Sequence, residues 1–95
     1  MKSKRTREFK EMFSRMPVAV QQLAAAVYKV FAADPNAPSL HSHTLKDTAR
    51  GRHKAGSISV RINQQYRAIY VVDGDAVIWY WCGSHNDYEN FTGVK

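Results

Sequence analysis

The second half of the chain shows the pattern of β-strands. Hydrophobic residues occupy every second position of the segment 57–62 (SISVRI), which is the period of a strand with one buried face. Residues 66–72 are rich in β-branched and aromatic side chains and predict a second strand. The pair Asp73-Gly74 predicts a tight turn. Residues 76–82 (AVIWYWC) carry no charge, so we expect this third strand to lie inside a sheet that is at least partly covered on both faces.

The first third of the chain has helical periodicity. Hydrophobic residues between positions 9 and 16 recur at helical spacing. Pro17 suits the first turn of a second helix, whose hydrophobic residues keep the same period from Val20 to Phe31. We predict two helices packed as a hairpin that ends near Ala33, because the proline-containing segment 34–39 stops the helix.

Together these elements predict a single α+β domain over residues 1–95. Two N-terminal helices should pack on an antiparallel sheet of three or four strands, and Ser84 should cap a short C-terminal helical turn. The basic segment 2–7 suits a short edge strand or a frayed end, and the pattern does not distinguish them. The residues expected to be largely buried are Phe13, Leu23, Val27, Val60, Ile62, Ile78, Trp79 and Trp81.

The charge of the chain favours an anionic partner. The net charge is +6 and the isoelectric point is about 9.7, which points to nucleic acid first and to an acidic protein second; a purely solubilising surface charge is the alternative. Cys82 is the only cysteine, which excludes an internal disulfide and a multi-cysteine zinc site and predicts a buried structural thiol. No segment approaches the roughly 20 apolar residues of a membrane span, and we expect a cytoplasmic protein.

The segment 40–56 is basic and rich in histidine. Such a segment is either an ordinary solvated loop or a surface that tracks phosphates, because lysine and arginine displace counterions and donate hydrogen bonds. His41 and His43 would share one face of a strand, but no further ligand completes a metal set, and we predict no metal. The candidate substrate-binding residues in this segment are Lys46, Arg50, Arg52, His53 and Lys54.

An arginine inside the second predicted strand is the strongest single sign of a site. Arg67 lies between Tyr66 and Ala68 in an otherwise apolar run, and a charge there needs a partner or a ligand. One interpretation is a structural ion pair, for which the available carboxylates are Asp73, Asp75 and Asp87. The other is a guanidinium that the sheet holds rigidly so that it meets a phosphate.

Arg61, on the polar side of the first strand, is the second candidate. If residues 63–65 form a three-residue loop, Arg61 lies across from Arg67 on the same face of the sheet. A two-residue loop would place the two arginines on opposite faces.

His85 follows the third strand directly. The antiparallel hairpin should place Arg67 beside residues 80–82, so that the arginine and the histidine share one rim of the sheet. A histidine there can act as acid or base near neutral pH. Tyr88 would add an aromatic face for stacking, and Asp87 is placed to orient the histidine.

Two of these motifs carry a family resemblance. The run Tyr66-Arg67 through Tyr70 and the segment 83–88 (GSHNDY), with the two helices before them, resemble the RelE/ParE toxin superfamily, and the match covers nearly the whole chain. The segment 83–88 looks like the G-T-H-x-D ending of the YafQ-like branch. Members are small basic toxins of bacterial type II toxin–antitoxin systems. Many cleave mRNA in the ribosomal A site without a metal, whereas the ParE branch poisons DNA gyrase.

The resemblance implies a cytoplasmic mRNA endoribonuclease that inhibits translation, needs no cofactor, and binds a cognate antitoxin, the ribosome and mRNA. Arg67 matches the strand arginine that binds the scissile phosphate region, and His85 matches the C-terminal catalytic histidine. Arg61 falls close to a basic strand position, while His53 and Lys54 fall in a loop that supplies further basic groups. Tyr88 is the fourth candidate catalytic residue. The alternatives are a gyrase inhibitor and a non-catalytic RNA- or protein-binding module.

Overall fold

The computed structural model describes residues 2–94. Thr6 begins the first helix by accepting a hydrogen bond from the Phe9 amide, and Ser84 begins the last helix by accepting one from the Asp87 amide. The elements in chain order are β1 Lys2–Arg5, α1 Arg7–Arg15, α2 Val18–Ala33, a 3₁₀ turn Pro38–Leu40, β2 His43–Thr44, β3 Ile58–Arg61, β4 Tyr66–Asp73, β5 Ala76–Ser84 and α3 His85–Thr92.

The strands form one five-stranded sheet with the order β1-β5-β4-β3-β2. The α+β class, the two N-terminal helices and the three central strands agree with the sequence prediction. The sheet differs from it in having five strands and in being mixed, because β1 runs parallel to β5 while the other pairs are antiparallel. Both additional strands are short and exposed, so neither has the alternation of buried and polar residues by which a strand is recognised in sequence.

The helices α1 and α2 cover one face of the sheet. Phe31 and Trp79 are the centre of this core, with ring centroids 5.0 Å apart in an edge-on arrangement. The buried members of the cluster are Phe9, Met16, Val20, Phe31, Leu40, Val60, Ile62, Ala68, Tyr70, Val77, Trp79 and Cys82. Burial raises the pKa of the Cys82 thiol to about 12, in agreement with the predicted structural thiol. No helix within residues 2–94 is long and apolar enough to span a membrane.

The predicted burial is correct for most of the sheet residues and in part wrong for the helices. Val60, Ile62, Trp79 and Trp81 are buried, whereas Ile78, Phe13 and Val27 are only half-buried. The prediction that Leu23 is buried is wrong, since this residue is 46% exposed. The inward stripe of α2 runs along positions 20, 24, 27 and 31, and Leu23 lies beside that stripe.

The opposite face of the sheet is covered by α3 and by the loop that precedes β3. Its core is smaller and consists of Leu45, Ile69, Tyr80, Trp81 and Tyr88, with Phe91 packed against it. The Trp81 and Phe91 rings are stacked, with centroids 5.1 Å apart. We call this side of the sheet the α3 face.

Candidate functional site: two arginines and two histidines on the α3 face

Arg61 and Arg67 lie directly opposite each other on β3 and β4. The loop between them is the three-residue one, closed by a hydrogen bond of 3.0 Å from the Ile62 amide to the Tyr66 carbonyl. Asn63 forms the turn, since its Oδ1 accepts hydrogen bonds from two amides that follow it. The two arginines therefore share a face of the sheet, as the three-residue alternative predicted.

The register shows which face this is. Ser59 pairs with Ile69, and Ile69 pairs with Trp81. Because side chains alternate along a strand, the arginines project on the same side as these three residues, which is the α3 face. The Arg61 Nε and the Ser59 Oγ are both buried and have no hydrogen-bond partner within residues 2–94. The face therefore presents polar groups to which the protein itself supplies no partner.

Arg67 is held by backbone carbonyls and not by a carboxylate. Its Nη1 donates hydrogen bonds to the Asn63 carbonyl at 2.5 Å and to the Tyr66 carbonyl at 3.1 Å. No carboxylate in the described part of the chain forms an ion pair with it. The alternative interpretation, a structural ion pair with an aspartate, is therefore wrong: Asp73 and Asp75 lie at the far end of the β4–β5 hairpin, and Asp87 is exposed on α3.

The environment of Arg67 is unfavourable to its positive charge. Burial of the side chain and then the neighbouring Arg61 charge lower the pKa of Arg67, while Tyr88 acts in the opposite direction. An anion bound on this face would relieve both unfavourable effects. A lowered pKa of this kind makes Arg67 a candidate for binding an anion.

A β-bulge changes the predicted neighbour of Arg67 on β5. The register shifts between the pairs Tyr70–Trp79 and Ile69–Trp81, which leaves Tyr80 as the extra residue on β5. Arg67 consequently pairs with Gly83 and not with residues 80–82. A Cβ at Gly83 would lie 3.0 Å from the Trp81 ring, so the absence of a side chain there gives this ring its place beside the arginine.

His85 is the first residue of α3 and lies at the predicted rim. Its amide donates a hydrogen bond of 2.6 Å to the Gln65 carbonyl, which ties the start of α3 to the loop that joins the two arginine strands. The side chain is 48% exposed, and its Nδ1 lies 3.9 Å from Glu89 Oε1. The predicted orienting role of Asp87 is wrong, because residues four apart face each other on a helix and residues two apart do not.

Tyr88 lies in the site, but in a different role from the one predicted. The residue is only 7% exposed, because its ring packs against Trp81 and lies over the His85 ring, with the planes 25° apart and the centroids 6.2 Å apart. The ring is therefore not available for stacking on a ligand. Its hydroxyl reaches across the face and lies 3.3 Å from His43 Nε2.

His43 is the site residue that the sequence pattern did not identify. The sequence suggested it only as a possible metal ligand with His41. It lies on β2 opposite Ser59, and so on the same face as the two arginines. Because β2 has only two residues, no periodic signal marks it in the sequence. Within residues 2–94, no group of three or more His, Cys, Asp or Glu side chains is arranged to hold a metal ion.

A comparison with protein-family models identifies the family. A model of the ParE-like toxin domain matches residues 18–90. The chain belongs to the ParE-like toxin family. No curated protein matches the sequence significantly.

Solved structures of toxins share this fold. The YoeB/ParE toxin from Agrobacterium tumefaciens is 21% identical with a TM-score of 0.69, over 90% of this chain and 99% of that one. The RelE chain of an archaeal RelE–RelB complex from Pyrococcus horikoshii is 14% identical with a TM-score of 0.66, over 87% and 92% of the two chains. YafQ from E. coli is 10% identical with a TM-score of 0.66, over 90% and 94%.

In this ParE-like toxin the basic loop lies mostly apart from the arginine pair. It is fastened to the C-terminal end of α3 by hydrogen bonds from Thr48 Oγ1 to the Thr92 carbonyl and from the Arg52 amide to the Phe91 carbonyl. His85 is at the other end of this eight-residue helix, about 10 Å away along its axis. Lys46 and Arg50 are exposed.

The remaining loop cations are engaged by the protein itself. The Arg52 guanidinium lies 5.7 Å from the centre of the Phe91 ring, and the Lys54 Nζ lies 5.3 Å from that of Tyr80. His53 Nε2 contacts the Lys46 carbonyl at 2.9 Å. The structure thus brings together Arg61, Arg67, His85, Tyr88 and His43, while Arg52, His53 and Lys54 make the loop contacts just described.

Proposed function

We propose that the protein is the toxin of a bacterial type II toxin–antitoxin system and that it cleaves mRNA on the ribosome without a metal ion. The observation that carries this proposal is the Arg61–Arg67 pair. Two like charges side by side on rigid strands, with no carboxylate paired to either within residues 2–94, are suited to a phosphodiester. Guanidinium groups bind phosphate oxygens through two parallel hydrogen bonds.

The proposed reaction is attack of the ribose 2′-oxygen on the adjacent phosphorus. It requires a base for the 2′-hydroxyl, an acid for the departing 5′-oxygen, and positive charge for the phosphorane. Arg67 and Arg61 supply the charge from a preorganised sheet. His85 supplies one of the two proton transfers, since its ring is exposed at the rim of the same face. The products are a 2′,3′-cyclic phosphate and a 5′-hydroxyl.

The remaining partners follow from the substrate and the family. In this proposal the ribosome presents the mRNA in a fixed geometry, and Lys46 and Arg50, which are exposed, contact RNA phosphates. The RelE relative from Pyrococcus horikoshii was solved as a RelE–RelB complex, and we propose a cognate antitoxin for this toxin as well. The site of action is then the cytoplasm.

Expression of the toxin alone in bacteria, followed by mapping of mRNA 5′ ends, tests this proposal. We expect growth arrest and new 5′ ends within translated codons, and we expect neither with the His85→Ala variant. The His41→Asn variant is a matched control, because His41 is an exposed histidine whose backbone lies in the left-handed region with φ of 46°, and asparagine tolerates that region. Growth arrest with intact mRNA would contradict the proposal.

A gyrase inhibitor is the second candidate function. It is favoured by the family itself, since the matching model is that of ParE-like toxins. Such a toxin would leave mRNA intact and produce double-strand DNA breaks, and it would need no proton-transfer group. Retention of full toxicity by the His85→Ala variant, together with DNA breaks, would favour this candidate.

A further inference from the structure

The hydroxyl of Tyr88 links two parts of the α3 face. Its oxygen lies 3.3 Å from His43 Nε2, and Tyr88 also interacts electrostatically with Arg67. The tyrosine hydroxyl thus contacts a histidine on β2, and its ring belongs to the core of the same face as the arginine that would hold the phosphate. A hydroxyl can donate one hydrogen bond and accept others at the same time.

The other contact of His43 indicates which of its nitrogens is a proton acceptor. Its Nδ1 lies 3.4 Å from the His41 carbonyl, which can only accept a hydrogen bond. A proton on Nδ1 satisfies that carbonyl and leaves Nε2 with a free lone pair directed at the Tyr88 hydroxyl. In this tautomer His43 is ready to receive a proton from the tyrosine.

His85 has the opposite kind of partner. Its Nδ1 lies 3.9 Å from a Glu89 carboxylate oxygen, which serves as a counter-ion for the protonated ring. Its exposed position leaves the other ring nitrogen accessible to a ligand. Both histidines are neighbours of Tyr88, since its ring lies 6.2 Å from the His85 ring at an angle of 25° and its hydroxyl contacts His43.

We infer that His43 and Tyr88 together form the base of the cleavage reaction and that His85 is the acid; this assignment rests on the nuclease function proposed above. The ribose 2′-hydroxyl gives its proton to the Tyr88 oxygen while the tyrosine gives its own to His43 Nε2. The 2′-oxygen then bonds to phosphorus, the bond from phosphorus to the 5′-oxygen breaks, and protonated His85 gives its proton to the leaving oxygen. Tyr88 is unchanged overall, and one proton has moved from the ribose to His43.

A substrate with a sulfur leaving atom separates the base from the acid. We would programme purified ribosomes with an mRNA that carries a 5′-bridging phosphorothiolate at one cleavage position and compare it with the unmodified mRNA under single-turnover conditions. A thiolate leaves without protonation, so the modified substrate needs the base and does not need the acid. The variants are His43→Ala, Tyr88→Phe, their double variant and His85→Ala, with His41→Asn as the control. Tyr88→Phe removes only the hydroxyl and keeps the buried ring.

On unmodified mRNA we expect a loss of about 10²- to 10⁴-fold for each single variant, the usual range for a proton-transfer group. On the phosphorothiolate we expect His85→Ala to cleave at close to the wild-type rate. We expect His43→Ala and Tyr88→Phe to remain slow. Because His43 and Tyr88 act in one relay, the double variant should be no slower than the slower single variant.

Several results would overturn the assignment while leaving the nuclease function intact. These are wild-type cleavage by His43→Ala or by Tyr88→Phe, recovery of His43→Ala on the phosphorothiolate, and multiplicative losses in the double variant. If the wild-type toxin cleaves neither mRNA, the proposed function itself is wrong, and the assignment is wrong with it. If His43 had a purely structural role, its replacement would slow cleavage of both substrates equally, in proportion to the loss of folded protein. The two substrates would then not separate the base variants from the acid variant.

Discussion

Arg61 and Arg67 are cross-strand partners, and neither forms an ion pair with a carboxylate within residues 2–94. Like charges that face each other directly across a sheet lower its stability. The sheet keeps this arrangement although replacement of either arginine would remove the repulsion. We interpret the pair as a functional feature that reduces stability in the absence of an anion.

The first prediction concerns Arg61→Met, which removes the charge and keeps a long apolar side chain. We expect the free energy of unfolding to rise by up to about 1 kcal/mol, while the stabilisation by added inorganic phosphate becomes smaller. Urea denaturation with and without phosphate measures both quantities. Lys29→Met, on the exposed side of α2, is the control and should leave the phosphate effect unchanged. A loss of stability specific to Arg61→Met would indicate a structural role.

The second prediction concerns the loop. Lys46→Ala and Arg50→Ala should weaken ribosome binding and make it less dependent on salt, because each lost phosphate contact reduces the slope of log K against log salt by about 0.7 to 0.9. The rate of cleavage at saturating ribosome should stay near that of the wild type, since both residues are exposed and the proposed chemistry uses neither. Binding measured at several salt concentrations tests this, and an unchanged slope would exclude these residues from the RNA interface.

The third prediction concerns the buried thiol. The raised pKa of Cys82, about 12, means that the folded protein keeps the thiol protonated at pH 8, and only the thiolate reacts with alkylating agents. We expect iodoacetamide to label the unfolded chain quickly and the native chain only at the rate of unfolding. Above pH 9 the unfolded chain loses this proton and the native chain keeps it, so this thiol contributes a decrease in stability as pH rises towards 12. Cys82→Ala should lack that contribution, and rapid labelling of the native chain would contradict the buried environment.

The sequence predicted the parts of the fold that have a strong period. The segments 57–62, 66–72 and 76–82 became β3, β4 and β5 with small changes of boundary, because their hydrophobic residues repeat at the spacing of the sheet. The short strands β1 and β2 are held at the edges of the sheet by backbone hydrogen bonds to β5 and β3. Their side chains show no repeating pattern of buried and polar residues. The register of Arg67 was also beyond prediction, since the bulge at Tyr80 depends on packing around the sheet and not on a local motif.

The same distinction applies to the site. Arg67 and His85 were recognisable because a charge inside an apolar strand and a histidine directly after one are unusual. His43 was not recognisable, because the role we propose for it depends on a contact with Tyr88, which is 45 residues away in sequence. Arg52, His53 and Lys54 resemble RNA-binding residues by composition, and the fold adds contacts within the protein for each of them; their part in RNA binding stays a prediction.

The most direct test of the central claim is cleavage by the purified toxin of an mRNA held on purified ribosomes, with Arg67→Ala as the comparison. The wild-type toxin should produce fragments that end in a 2′,3′-cyclic phosphate and begin with a 5′-hydroxyl. Arg67→Ala should be slower by about 10²- to 10³-fold, the usual cost of losing a preorganised charge-stabilising donor, while its circular-dichroism melt still shows a folded protein. Intact mRNA with the wild type, or an Arg67→Ala variant that cleaves at the wild-type rate, would contradict the account.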